Sequence, residues 1–164
     1  MKRGFAVFLM AVWSSGCATQ AQWVAFPSGR GGKGVTLEAW LKDHPIPVGQ
    51  EMGIQELSRG EGDSASTHIV QVRRLEPMHI HKEHDVMAIV LRGKGTLTLG
   101  DRRLEVSPGS LISIPRGVPH SFRNKSSQPA VVYAMFTPAY DGKDRVLVEE
   151  ESLVKRPASQ AQLQ

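Results

Sequence analysis

From Gln50 onward the chain is cut into short apolar runs, most of them bounded by Gly, Pro, Asp or Ser. No run is long enough for a core-forming helix, and several alternate apolar with polar residues, the period of a half-buried strand. Candidate strands cover residues 52–57, 67–74, 78–81, 86–91, 96–99, 102–106, 111–114, 120–123, 131–137 and 145–148. The clearest pair lies at 96–106. There Leu97 and Leu99 alternate with threonines, Gly100-Asp101 makes a tight turn, and Leu104 and Val106 resume the alternation. Short antiparallel strands at this spacing predict an all-β domain, closed or sandwiched into a barrel. One helix is predicted ahead of them, over residues 36–44. Leu37, Trp40 and Leu41 share a face, and Pro45 stops the helix. Its apolar face is expected on the barrel exterior or rim.

The N-terminus reads as a targeting segment. Lys2 and Arg3 precede an apolar run from Phe5 to Trp13, too short to span a bilayer, and small residues lead to Cys17. Residues 1–16 are therefore expected to be a signal peptide. The Ser-Gly-Cys ending resembles the lipobox of bacterial lipoproteins, with Ser14 where that family usually has leucine. The resemblance implies lipidation of Cys17, a membrane anchor through it, and a place in the bacterial cell envelope, at the outer membrane facing the periplasm. Residues 17–34, rich in glycine towards their end, read as a flexible tether. Residues 35–150 form one barrel domain, and 151–164 a polar tail.

Charge narrows the range of partners. The chain carries 20 Lys and Arg against 16 Asp and Glu. Without Lys2 and Arg3 the balance is 18 to 16, too even to suggest nucleic-acid binding. A single cysteine rules out an internal disulfide and a Cys-x-x-Cys redox pair, and no Ser-His-Asp order is present.

Three histidines carry the chemistry. His79 and His81 are two apart, so on a strand both point to one face, about 6.5–7 Å apart along it. His120 follows the turn Pro115-Arg-Gly117-Val-Pro119. Imidazole suits Fe, Mn, Zn, Ni or Cu, and three such ligands leave positions open for water and a substrate. Val86, Ala88 and Val90 share a parity expected to face the site, and Phe122 shares the parity of His120. Tyr133 and Met135 are expected to line the pocket from a later strand. Arg73, Arg92, Arg116 and Arg123 read as a solvated outer face. His44 and His68 fall in no site-like context.

These residues resemble the cupin superfamily. Gly109, Pro115, Gly117, His120 and Asn124 match every defining position of its second motif, G-x5-P-x-G-x2-H-x3-N. His79, His81 and Gly93 match its first, H-x-H-x3–4-E-x6-G. The resemblance spans about residues 52–137. It implies a jelly-roll barrel, a double-stranded antiparallel β-helix, holding one divalent transition metal on His79, His81 and His120. The motif's glutamate falls on Val86, which cannot bind metal. Asp85 or His84 is left as the candidate fourth ligand, beside a site of three histidines alone. The function expected is a metal-binding cupin lipoprotein acting on or binding a small molecule, with oxygenase or isomerase chemistry. The alternatives are a non-catalytic small-molecule or metal-binding module at the envelope and a structural or interaction lipoprotein with a degenerate site. Analogy to cupins adds a homodimer.

Overall fold

A computed structural model describes residues 22–26 and 33–148. The expected signal peptide at 1–16, the expected lipidation site Cys17 and the expected tail at 151–164 lie outside the described residues. Among the described residues no helix is long and apolar enough to cross a membrane. The chain divides into two compact units, Met1–Leu41 and Lys42–Gln164.

In the first unit, β1 (Trp23–Phe26) pairs antiparallel with β2 (Lys33–Thr36), with Val24 opposite Val35. Both strands fall within or against the segment read as a tether, so that reading is corrected in part. Four-residue strands beside a glycine run give too little alternation to stand out from a linker. The helix α1 follows at Leu37–Asp43, close to its predicted span. The Thr36 hydroxyl accepts the Ala39 N–H at 3.3 Å, the N-terminal cap that starts it.

The second unit is all-β. Its strands are β3 (Met52–Arg59), β4 (Ser66–Val72), β5 (Leu75–His81), β6 (Asp85–Arg92), β7 (Gly95–Leu99), β8 (Arg102–Val106), β9 (Leu111–Ile114), β10 (His120–Asn124), β11 (Ala130–Thr137) and β12 (Arg145–Leu147). They form two five-stranded antiparallel sheets, in the orders β12-β5-β10-β7-β8 and β3-β4-β11-β6-β9. This is the all-β barrel that the strand pattern predicts, in the jelly-roll form that the cupin resemblance implies. Side chains from both sheets make the core, with Val72, Val90, Leu97, Phe122, Ala130 and Phe136 buried in it. Full burial of such an apolar side chain stabilises by about 1.5–3 kcal/mol.

Two motif residues hold the frame. Gly93 sits at φ +84°, and a Cβ there would lie 2.9 Å from the Ala130 backbone, so only glycine fits between β6 and β11. The Asn124 amide donates to the carbonyls of Gln128 at 2.8 Å and Arg73 at 3.0 Å, and its oxygen accepts the Ser126 N–H at 2.9 Å. It ties the end of β10 to the loop between β4 and β5, so the histidine strands are fixed against each other.

β5 begins at Leu75, three residues before the strand read from sequence. Pro77 and the charged Arg73, Arg74 and Glu76 obscure its start, since proline sits poorly in a regular strand. The structure accommodates it with a bulge. His120 on β10 faces His79 and Phe122 faces Glu76, so the single Ser121 lies opposite two residues, Pro77 and Met78. The extra residue reverses the parity of everything before it on β5.

Candidate metal centre

His79, His81 and His120 meet between the sheets. One imidazole nitrogen of each lies within 4.8 Å of the others, and all three side chains are buried. Neighbouring strands bring them together. β5 carries His79 and His81, with ring centroids 5.1 Å apart, and β10 places His120 at 4.1 Å from His79.

Each ring has its Nδ1 already engaged. His79 Nδ1–H donates to the Pro77 carbonyl at 2.8 Å, and His120 Nδ1–H donates to the Val118 carbonyl at 3.0 Å. His81 Nδ1–H donates to Asp144 Oδ1 at 3.0 Å. An imidazole that gives its N–H to an acceptor at Nδ1 keeps its lone pair at Nε2. Three Nε2 lone pairs therefore converge, with the outer hydrogen bonds that orient metal-binding histidines. Burial, with the positive neighbours adding to it, lowers the proton affinity of His79 to about 3. Burial likewise lowers His120 to about 4, although the Val118 hydrogen bond opposes it. His81 is also lowered, mainly by burial and against the pull of Asp144. Neutral rings are the form that binds metal.

The carboxylate at the site is Glu76, which the sequence reading missed. The β5 bulge turns it to the face shared by Phe122 and the histidines. Its Oε1 lies 3.6 Å from His79 Nε2. Two ligands each ~2.0–2.2 Å from one ion sit ~3–3.5 Å apart, so this pair is spaced to share one. Burial raises the Glu76 carboxyl to about 7, with the charge of Arg145 acting against the rise.

The two residues expected as the fourth ligand lie elsewhere. Asp85 faces outward and pairs with Arg116, its Oδ2 2.8 Å from Nη2. It also accepts the Arg116 backbone N–H, and these hydrogen bonds hold it at about 2. Its position on β6 is regular, so the parity that points Val86 inward sends Asp85 out. His84 is buried, but its Nδ1 meets Asp144 Oδ2 at 2.5 Å and its Nε2 meets the Ala139 carbonyl at 3.1 Å. Neither nitrogen is free to face the triad. Asp144 thus receives His81, His84 and the Glu83 backbone N–H together. Burial pushes its carboxyl up, but these hydrogen bonds outweigh that and bring it to about 2.

Two cavities meet the site, and Glu76 and His81 line both. The inner one, about 70 Å³, is walled by Val86, Ala88, Val90 and Phe122, with Val132, Ala134 and Phe136 from β11. Tyr133 and Met135 have the opposite parity on β11 and do not line it. The strand starts at Ala130 with a register shift between Val131 and Val132, which the sequence does not announce. The outer cavity, about 220 Å³, is bounded by Met52, Ile54, Phe136, Tyr140 and Arg145 as well as His79. A larger concavity, about 540 Å³, contains none of the three imidazoles. His68 is buried against Phe136 and Tyr140 and bonded to the Ser66 hydroxyl, outside the triad.

Comparison with known proteins agrees with this architecture. A family model described as "Cupin domain" matches residues 66–136. An uncharacterized protein of Aquifex aeolicus (strain VF5) is 38% identical over 96 residues, 58% of this chain and 78% of that protein. Quercetin 2,3-dioxygenase of Bacillus subtilis (strain 168) is 36% identical over 76 residues, 46% of this chain and 19% of that enzyme. The structure of KdgF from Halomonas sp. superposes with a TM-score of 0.54 at 19% identity, covering 61% of this chain and 91% of that one. At that identity the likeness is one of fold.

The hydrogen bonds behind the triad generate a prediction. Asp144→Ala frees the His81 ring and should weaken zinc affinity ~10–100-fold, as loss of an orienting partner does. Asp85→Asn should leave zinc affinity at the wild-type value. Calorimetric titration of both variants checks this, and the reverse order of effects would restore Asp85 to the site.

Proposed function

Because this chain belongs to the cupin superfamily, we propose that it is a metal-dependent enzyme acting on a small oxygen-bearing molecule, with oxygenase or isomerase chemistry. The observation that carries this reading is the convergence of three Nε2 lone pairs, each fixed by a hydrogen bond at Nδ1. His79, His81 and His120 would hold one divalent transition metal, with Glu76 as the carboxylate beside them. When bound, the ion would supply Lewis acidity to a substrate oxygen or, if redox-active, a path for electrons to dioxygen.

The chain's own residues do the rest. The three imidazoles are neutral and need no deprotonation to act as ligands. Glu76 has its proton poised near neutrality, so its carboxyl can accept or return one at Oε1, or join the ligand set after losing it. Val86, Val90, Phe122 and Phe136 exclude bulk water from the inner side, which strengthens every polar interaction there. The outer cavity leaves room for a small molecule next to His79 and His81. The likeness to a quercetin dioxygenase supports testing dioxygen chemistry first, although that likeness covers 19% of the enzyme.

The test is elemental analysis after reconstitution with Fe, Mn, Zn, Ni and Cu in turn, followed by oxygen uptake and product analysis with small organic substrates. The wild type should carry about one metal per chain and His120→Ala far less, since three donors at this spacing act together. A wild type that takes up none of the five sinks the reading. A loaded protein that binds substrates without converting them would make it a binding module instead.

We further propose that the protein is anchored in the bacterial cell envelope, at the outer membrane facing the periplasm, by a lipid on Cys17. The support is the basic start, the short apolar run and the Ser-Gly-Cys ending. In a bacterial host, Cys17→Ser should move the protein from the membrane fraction to the soluble one. Unchanged fractionation counts against the anchor.

A further inference from the structure

Arg145 presents an unanswered demand. Among the described residues, the buried side-chain nitrogen and oxygen atoms without a hydrogen-bond partner are two, its Nε and Nη2. These are the two parallel donors on one edge of a guanidinium, the edge that takes both oxygens of a carboxylate side by side. A buried cationic donor left unpaired is costly, so such a group signals a partner that comes from elsewhere.

The fold aims this group at the site. β12 pairs with β5 so that Arg145 lies directly opposite His81. Opposed residues of an antiparallel pair project to one face. Arg145 accordingly lines the outer cavity together with Glu76, His79 and His81. Its charge is felt by Glu76 and by all three imidazoles, yet Glu76 turns its Oε1 to within 3.6 Å of His79 Nε2, and Arg145 Nε and Nη2 make no hydrogen bond to it. The rest of the cavity wall is largely apolar or aromatic, with Met52, Ile54, Val70 and the stacked pair Phe136 and Tyr140, ring centroids 4.6 Å apart, and it also includes Gln50 and Gln55.

We propose that the outer cavity binds a small organic acid, its carboxylate held side-on by Arg145 Nε and Nη2 and its apolar body against Phe136, Tyr140, Met52 and Ile54. This names the substrate class of the metal site and rests on the metal reading only for turnover; the acid-binding edge stands without the ion. The volume is suitable. An apolar cavity of ~150 Å³ holds a benzene molecule, and this one is about 220 Å³. An aromatic or short-chain acid fits this volume. The anchor sits beside His81, so the atoms next to the carboxylate lie on the side of the triad.

The test uses the full chain, metal-free and metal-loaded, with benzoate and hexanoate as probes and benzamide and hexanamide as their neutral counterparts. Calorimetry or ligand-observed NMR gives the affinities. In the metal-free wild type at least one acid should bind roughly tenfold or more tightly than its amide, the scale of a charge-assisted pair. Arg145→Met should erase that preference. Arg145→Lys, which keeps the charge but loses the fork, should retain only part of it. Equal binding of acids and amides by the wild type, no binding of either acid, or full preference in Arg145→Met would overturn the proposal. If Arg145→Met fails to fold, the wild-type comparison and Arg145→Lys decide the matter. Metal content measured on the same samples separates the two readings. Acid preference with no metal uptake leaves this one standing, whereas metal uptake with no acid preference removes it alone.

Discussion

A neutral imidazole has one N–H to give and one lone pair, and this barrel decides which nitrogen holds which. His79 and His120 each donate Nδ1–H to the carbonyl two residues upstream on their own chain, Pro77 and Val118. His81 donates to Asp144 instead. All three rings therefore present Nε2 to the same space. Burial then favours the neutral form, so protons compete weakly for the lone pairs. Hydrogen bonding and desolvation act on the same three atoms and favour the same outcome. Without the Nδ1 partners the rings could turn, and the convergence would be lost.

The second constraint is the bulge at Pro77 and Met78. A regular β5 would place Glu76 opposite in parity to His79, facing away from the site. Inserting one residue against Ser121 turns it inward beside His79 Nε2. The same irregularity places the Pro77 carbonyl where His79 needs an acceptor. One local departure from a flat ladder thus supplies both the orienting carbonyl and the carboxylate. Asp144 plays the corresponding part on the loop before β12, joining His81 and His84 through one carboxylate. The next residue, Arg145, begins β12 and enters the outer cavity.

The all-β class, the ten barrel strands and the histidine triad were legible because they depend on period and spacing. Alternation marks strands, and His79 and His81 two apart must share a face. Glu76 was hidden because the period-two rule assumes an unbroken strand, and the proline that disguises β5 also marks its bulge. A proline inside a strand-like run, next to an acidic residue and just before a paired histidine motif, is the signal that could have located it. Asp85 was a misleading substitute. It is one residue from the motif position, but on regular β6 that residue is the difference between the core and Arg116 on the surface. Tyr133 and Met135 went to the wrong face because the frame of β11 is set by its pairing, not by its composition. Arg145 could not be singled out from other arginines, since what distinguishes it is the absence of a partner.

The most direct test of this site is anomalous diffraction from crystals of the metal-loaded protein, collected on both sides of the metal's absorption edge. The account predicts a single strong peak within ~2.0–2.3 Å of Nε2 of His79, His81 and His120, with Glu76 as the nearest carboxylate. A peak on Asp85 or His84, or one bound through an Nδ1 nitrogen of the triad, would contradict it.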